Sequence, residues 1–367
     1  PMPNTIEKLK GNVSFSNYQL MIEKKYEKAI LLFNHELESK LIIDGTKPCY
    51  DFEFIFNNKL ANEQYIILMD KEVTHVEASS ERGFFYASRT LAQLFDLFNS
   101  KKVKKITSLA YYIDDKPRFA YRSFMMDVSR HFFTVDEVKK YINLLSSLKI
   151  NTFHWHLSDD QGWRIEIKKY PKLTEIGSKR SFTQVGGWGS SKTEDIPHGG
   201  YYTQEDIKEI VEYAARRCIS IVPEIDVPAH FAAALAAYPH LACRNIQSRV
   251  FGEMGGRLFT LKGIRDWNRP ACLGKKESLQ FIFDEVCGLF PFEYFHVGGD
   301  EADVSEWKKC PDCQKAMKEM GFANERELQK KLTNELCEYL KSKGKHMIAW
   351  NDVLRQGTER LDTDMVV

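Results

Sequence analysis

The segment His296-Val-Gly-Gly-Asp300-Glu301 runs from apolar β-type residues through two glycines into two adjacent carboxylates. Acids at a strand end perturb each other. A carboxyl beside an ionised neighbour and partly withdrawn from water is pushed toward its protonated form, which makes one of the pair a proton donor near neutral pH. Gly298 and Gly299 leave room for a ligand to approach the backbone. The bland alternative is a solvated Asp-Glu at a helix N-terminus, where acids are favoured anyway. His154-Trp155-His156 is a second pattern, because alternate residues of a strand share a face and an H-x-H pair suits a metal hydrolase. Asp159, His230, His296 and Asp300 would have to complete such a site. Cys310 and Cys313 form a lone C-x-x-C without a second pair at zinc-ribbon spacing, so structural thiols or a local disulfide are expected there.

Positioning these residues requires regular elements. Ala29 to Phe33, Tyr65 to Met69 and Val73 to Ala78 are apolar or alternating and are predicted as strands. A helix from near Ser80 follows, with Phe84, Ala87, Leu91, Leu94, Phe95 and Phe98 on one stripe. These make an α+β unit over residues 1–116, ended by the turn-like Asp114-Asp115-Lys116-Pro117. From 117 to 367 strands and helices alternate. Strands are predicted at Ser123 to Ser129, Thr152 to Leu157, Ser220 to Val227, Tyr294 to Val297 and His346 to Trp350. Helices open at the capping pairs Thr134/Glu137, Thr203/Asp206 and Asn324/Glu327. Such alternation implies a parallel sheet, either open and doubly wound or closed as a barrel. Polar residues cluster just after the strands, at Arg130, Asp159, Asp226 with His230, Asp300-Glu301 and Asn351-Asp352, and no phosphate-binding Gly-rich turn occurs. That favours a TIM-type (β/α)8 barrel with its chemistry at the C-terminal strand ends.

Composition narrows the function classes. With 52 Lys+Arg against 51 Asp+Glu, the chain offers no field for nucleic acid or an anionic membrane, so a neutral substrate is expected. No apolar run is long enough to span a bilayer. Eight scattered cysteines do not make a disulfide framework in 367 residues.

Four segments occur in the order seen in family 20 glycoside hydrolases: Asp127-Val-Ser-Arg130-His131-Phe, His154-Trp-His-Leu-Ser-Asp159-Asp160-Gln-Gly-Trp163-Arg164, Pro223-Glu-Ile-Asp226-Val-Pro-Ala-His230 and His296-Val-Gly-Gly-Asp300-Glu301. The chain therefore resembles the β-N-acetylhexosaminidases from about Ile113 onward, and its first unit is similar to that family's N-terminal domain. The resemblance implies a retaining, substrate-assisted exo-glycosidase acting on terminal β-linked GlcNAc or GalNAc of an oligosaccharide or glycoconjugate, with no metal and no cofactor. It implies Glu301 as acid then base, and Asp300 as the residue holding the substrate's 2-acetamido group. Arg130 would clamp hydroxyls of the terminal sugar and Trp350 would line the acetamido methyl pocket. Asp159 would stand behind Arg130, while Asp226 and His230 would support the protonation state of Glu301. The four motifs account for the H-x-H histidines as inward-facing barrel residues. Phe182 to Tyr202, with Trp188, is expected as a loop over the cleft. The rival readings are a glycan-binding relative without turnover and a metal-dependent barrel hydrolase.

About five barrel strands are present, and Asp364-Met-Val-Val367 looks like the start of a sixth, whereas a closed barrel needs eight. The expectation is a fragment of a longer polypeptide, lacking later sugar contacts of the family. An extracytoplasmic setting, whether periplasmic, secreted or surface-anchored, is also expected.

Overall fold

The computed structural model describes residues 2–99, 101–187, 190–253, 270–275, 279–356, 361–362 and 364–367. The chain forms two compact units. One comprises Pro1–Ser123, Lys140–Thr152 and Tyr213–Ile219; the other comprises Phe124–Lys139, Phe153–Glu212 and Ser220–Val367.

The first unit is built on strands β1 (Thr5–Phe15), β2 (Tyr18–Ile22), β3 (Tyr50–Phe56), β4 (Tyr65–Met69), β5 (Val73–Ala78) and β6 (Ile106–Asp115). They form one mixed sheet in the order β1-β6-β4-β5-β3-β2. Alternation along β3 buries Tyr50, Phe52 and Phe54, and the helix Glu81–Leu94 adds Phe84, Ala87 and Leu91 to the same core. Each such aromatic or aliphatic side chain contributes roughly 1.5–3 kcal/mol by leaving water. Ser80 caps that helix by accepting the Gly83 N–H at 3.0 Å. A Cβ on Gly83 would come within 2.9 Å of Ala78 Cβ, so glycine lets the helix settle on the sheet.

Three expectations fail in this unit. Ala29 to Phe33 is helical, divided between a 3-10 turn, Lys24–Ile30, and the helix Leu31–Lys40. Its buried residues Ala29, Ile30, Phe33 and Leu37 follow three- and four-residue steps, which a five-residue apolar window cannot distinguish from a strand. Phe98 lies beyond the helix and is exposed. Asp114 and Asp115 still belong to β6, where they accept hydrogen bonds from Gln64 and from Tyr65 and Lys149.

The second unit carries β7 (Ser123–Asp127) and β8 (Thr152–His156), the short strands β9 (Ser158–Asp159), β10 (Gly162–Trp163), β11 (Lys179–Arg180), β12 (Thr183–Val185), β13 (Lys192–Glu194) and β14 (His198–Gly199), then β15 (Ser220–Glu224), β16 (Tyr294–His296) and β17 (His346–Ile348). Its main sheet has the order β17-β16-β15-β8-β7, with parallel β15/β16 and β16/β17 pairs. Ile348 forms a further parallel bridge to Val366, whose N–H reaches Met347 O at 2.9 Å. Every residue of β8 is buried, as befits an interior parallel strand covered on both faces. The capping boxes form as predicted at two helices: Glu137 accepts from Thr134, and Asp206 from Thr203.

Phe182 to Tyr202 is not a plain loop. It contains the hairpin β12/β13 and the strand β14, which pairs with β11; Trp188 lies outside the described residues. Among the described residues no helix is long and apolar enough to cross a membrane.

Candidate active site

Beyond β16 the backbone turns through left-handed conformations at Gly298 (φ 69°), Gly299 (φ 91°) and Glu301 (φ 46°). A Cβ on Gly298 would lie 1.8 Å from Asp226 Oδ1, and one on Gly299 would lie 2.7 Å from Val353 Cγ1. The glycines thus make room for protein side chains, not for a ligand as their sequence context suggested. Gly299 also donates its N–H to Asp226 Oδ1 at 3.1 Å. At Glu301 the left-handed backbone costs about 1–2 kcal/mol, a strain typical of functional sites.

The turn sets two carboxylates in unlike surroundings. Asp300 is mostly buried, and burial raises it above the usual carboxylate range. Asp226, deeper still and hydrogen-bonded to Asp300, is pushed well up by burial and by the Asp300 charge. Asp300 Oδ1 is buried with no hydrogen-bond partner among the described residues. Glu301 is 55% exposed and faces His230, whose hydrogen bond holds it below the usual glutamate value. The upward shift foreseen for one member of the pair therefore falls on Asp300, because burial is the largest influence there, whereas at Glu301 the contact with His230 outweighs it.

His230 links these acids to a second pair. Its Nε2 is 3.3 Å from Glu301 Oε2 and 3.7 Å from Asp300 Oδ2, while its Nδ1 is 3.2 Å from Asp159 Oδ1. Burial opposes charge on this imidazole, but the Asp159 carboxylate outweighs it and holds His230 well above the ordinary histidine value. Asp226 and His230, coupled in the sequence reading as joint supports of Glu301, divide their contacts: His230 touches Glu301, and Asp226 serves Asp300.

Arg130 is gripped from behind. Its Nη2 lies 2.6 Å from Asp159 Oδ2 and its Nη1 3.0 Å from Asp127 Oδ2. Asp127 also accepts the N–H groups of Ser129 and Arg130. Burial alone would raise Asp159, yet His230 and Arg130 hold it far below the normal range. Beside it, burial raises Asp160 to about 6, and its carboxylate accepts the Ala232 N–H. Arg164 is wholly buried and donates to Val128, Ser129, Ser178 and Gly200 carbonyls, pinning the strand-end loops; burial lowers it to about 9.

Glu224 organises the far wall. It is fully buried, with Oε2 2.8 Å from His154 Nε2 and 2.7 Å from His156 Nδ1, and Oε1 3.2 Å from His296 Nδ1. Trp350 Nε1 donates to Oε1 at 2.8 Å, and the indole packs on His154 and His296. Burial disfavours the Glu224 charge, but His156 and His296 overcome it and keep the carboxylate well below its usual value. The H-x-H histidines do share one face, as predicted, but both face Glu224, which is hydrogen-bonded to His154 and ion-paired with His156. Metal-competent groupings such as His154/Glu224/His296 and Asp226/His230/Asp300 exist by distance; in the first, Glu224 is hydrogen-bonded to His154.

The residues singled out in sequence thus converge, with Asp300, Glu301, His230, Asp159 and Arg130 in one continuous chain of contacts and Trp350 held by Glu224. Glu224, Asp127, Asp160 and Arg164 lie within the four motifs, but the sequence alone assigns them no part. The signal for Glu224 was its spacing: two residues before Asp226 on a strand, it shares that residue's face.

The family description "Glycosyl hydrolase family 20, catalytic domain" matches residues 119–367, and "Glycosyl hydrolase family 20, domain 2" matches residues 1–108. A beta-hexosaminidase of Porphyromonas gingivalis is 40% identical over 306 residues, covering 81% of this chain and 37% of that protein. One from Vibrio furnissii is 35% identical over 386 residues, covering 100% of this chain and 58% of that protein. The crystal structure of a GH20 exo beta-N-acetylglucosaminidase from Vibrio harveyi in complex with N-acetylglucosamine superposes with a TM-score of 0.82 at 31% identity, covering 100% of this chain and 56% of that one. The chain spans about half the length of the curated relatives it matches.

Proposed function

The chain belongs to glycosyl hydrolase family 20, with a TIM-barrel catalytic domain after a small α+β domain, and from that premise we propose that its protein is a retaining exo-β-N-acetylhexosaminidase. It removes terminal non-reducing β-linked GlcNAc or GalNAc from oligosaccharides or glycoconjugates, in an extracytoplasmic setting. The observation that carries this reading is the contrast between a buried Asp300 with an unpartnered oxygen and an exposed Glu301, both beside His230.

In the first step Glu301 gives its proton to the glycosidic oxygen while the acetamido carbonyl oxygen of the substrate attacks the anomeric carbon. The carbon–oxygen bond to the leaving group breaks and a cyclic oxazolinium ion forms. Asp300 Oδ1 accepts the acetamido N–H, fixes the carbonyl in attack geometry and balances the positive charge of the ring. The hydrogen bond with Asp226 acts against the effect of burial and favours the charged form of Asp300. In the second step Glu301, now a carboxylate, takes a proton from water as the water oxygen bonds the anomeric carbon; the bond from that carbon to the acetamido oxygen breaks, the ring opens to regenerate the neutral acetamide, and the configuration is retained overall. Glu301 is below its usual pKa when solvated. A bound sugar withdraws water from it, which raises it toward the protonated form.

Arg130, held in a fixed fork by Asp159 and Asp127, suits two sugar hydroxyls at once. Trp350, braced through Glu224, offers a flat apolar wall for the acetamido methyl. Aryl glycosides with and without the 2-acetamido group test the proposal. Release of aryl alcohol is expected from N-acetyl-β-glucosaminide and N-acetyl-β-galactosaminide only. Binding without release would support a glycan-binding module instead, and comparable turnover of the plain glucoside would overturn the mechanism.

A further inference from the structure

Apart from the carboxylate cluster, the second unit gathers four cysteines that are far apart in sequence. Cys243, Cys272, Cys310 and Cys313 are all buried, and their sulfurs lie within 4.8 Å of one another. The separations are 3.6 Å for Cys272–Cys310, 3.6 Å for Cys272–Cys313 and 3.8 Å for Cys243–Cys313. A disulfide needs about 2.05 Å. Four sulfurs at about 2.3 Å from a central tetrahedral zinc ion are separated by about 3.8 Å. The sequence reading set zinc aside because the Cys310/Cys313 pair had no partner pair. The fold supplies the missing two ligands as single cysteines from separate segments.

We propose that these four cysteines form a structural zinc site. Four soft thiolates in a tetrahedral arrangement select zinc among the divalent ions that prefer oxygen or nitrogen, and four protein ligands leave no open position for water or substrate. The surroundings fit a dianionic zinc tetrathiolate. Cys310 precedes the helix Pro311–Met320 and Cys313 lies in its first turn, where the helix dipole favours negative charge. The Gly274 N–H hydrogen-bonds to the Cys272 sulfur. Gly274 also passes so close to the Cys313 segment that a Cβ would be 2.3 Å from Cys313 N, so the two ligand segments are apposed at backbone distance. Two cations sit next to ligands in the chain, Arg244 after Cys243 and Lys275 shortly after Cys272. Lys275 ties the first and second ligand segments together by donating to Ala242 O at 2.8 Å and to Asn245 Oδ1 at 2.7 Å.

The metal has a structural consequence for the active site. Ala229 and Ala302 belong to the same buried cluster as the four sulfurs. They adjoin His230 and Glu301 in the chain, so the site braces the segments that bear both residues without touching the reacting atoms.

Metal analysis of the protein purified without chelator, together with thiol titration, tests the proposal independently of glycosidase activity. About one zinc per chain is expected, released only when a mercurial modifies the four ligand cysteines; Cys337, buried as well, is not among them. Cobalt substitution should give the thiolate-to-cobalt charge-transfer and ligand-field bands of a tetrahedral tetrathiolate. Cys313→Ser should lose the zinc, whereas Cys49→Ser and Cys243→His, the latter retaining a ligand atom, should keep it. Should Cys313→Ser fail to fold, the unmodified protein's zinc content and cobalt spectrum still decide. Absence of zinc, iron in its place, or a mass lowered by two hydrogens per disulfide among these four cysteines would overturn the proposal.

Discussion

His230 Nε2 lies 3.3 Å from Glu301 Oε2, at the exposed end of a contact chain whose buried end is Asp159. Since Asp159 keeps the imidazole charged, His230 lowers Glu301 and also opposes the rise at Asp300. Replacing it as His230→Asn removes a positive neighbour from both acids, and both pKa values rise. For an enzyme that needs Asp300 ionised and Glu301 protonated, the acidic and alkaline limbs of the kcat/KM profile should both move to higher pH. Unmoved limbs would show that His230 does not set these protonation states.

Glu301→Gln preserves shape and removes the proton. Substrates with poor leaving groups should lose roughly 100- to 10,000-fold in kcat, the usual contribution of general acid catalysis, while aryl glycosides with acidic phenols should lose much less. Equal losses across a leaving-group series would remove Glu301 from the acid position.

Glu224 has zero exposed side-chain surface and neighbours three histidines and Trp350. Glu224→Gln removes a buried charge that faces His156, whose pKa it helps to hold well up, and should cost about 3–5 kcal/mol in urea unfolding at neutral pH. Its folded pKa is depressed, so its contribution is present above the unfolded value of about 4.3 and is lost as pH falls through the folded value. The gap between wild type and variant should therefore narrow in acid; a pH-independent gap would mean that the carboxylate's charge is not the source.

Gly298→Ala tests the packing of the carboxylate turn against a matched control. Gly298 and Gly321 have nearly the same φ, 69° and 68°, but an added Cβ meets Asp226 Oδ1 at 1.8 Å in the first and nothing within 4 Å in the second. Gly321→Ala should cost only the left-handed strain of about 1–2 kcal/mol. Gly298→Ala should cost more and also impair activity by displacing Asp226. Equal thermal shifts would contradict the fit between Gly298 and Asp226.

What sequence disclosed and what it concealed follow a physical division. Strand-helix alternation, the capping boxes at Thr134 and Thr203 and the polar strand ends are local signals, and each matches the fold. The segment Ala29 to Phe33 misled because a short apolar run carries no period of its own. Partners separated by long stretches of chain were hidden: Asp226 under Gly298, Glu224 behind Trp350, and Cys243 and Cys272 beside Cys310 and Cys313. The exposed setting of Glu301 and the burial of Asp300 are likewise tertiary facts, which is why adjacency alone could not assign their opposite shifts.

Substrate assistance is tested most directly by making the substrate's own nucleophile weaker. Aryl glucosaminides bearing mono-, di- and trifluoroacetyl groups in place of acetyl withdraw electrons stepwise from the carbonyl oxygen and leave the leaving group unchanged. If that oxygen attacks the anomeric carbon beside Asp300, kcat/KM should fall progressively along the series. A rate indifferent to fluorination would mean that the acetamido group only binds, and that the nucleophile lies elsewhere.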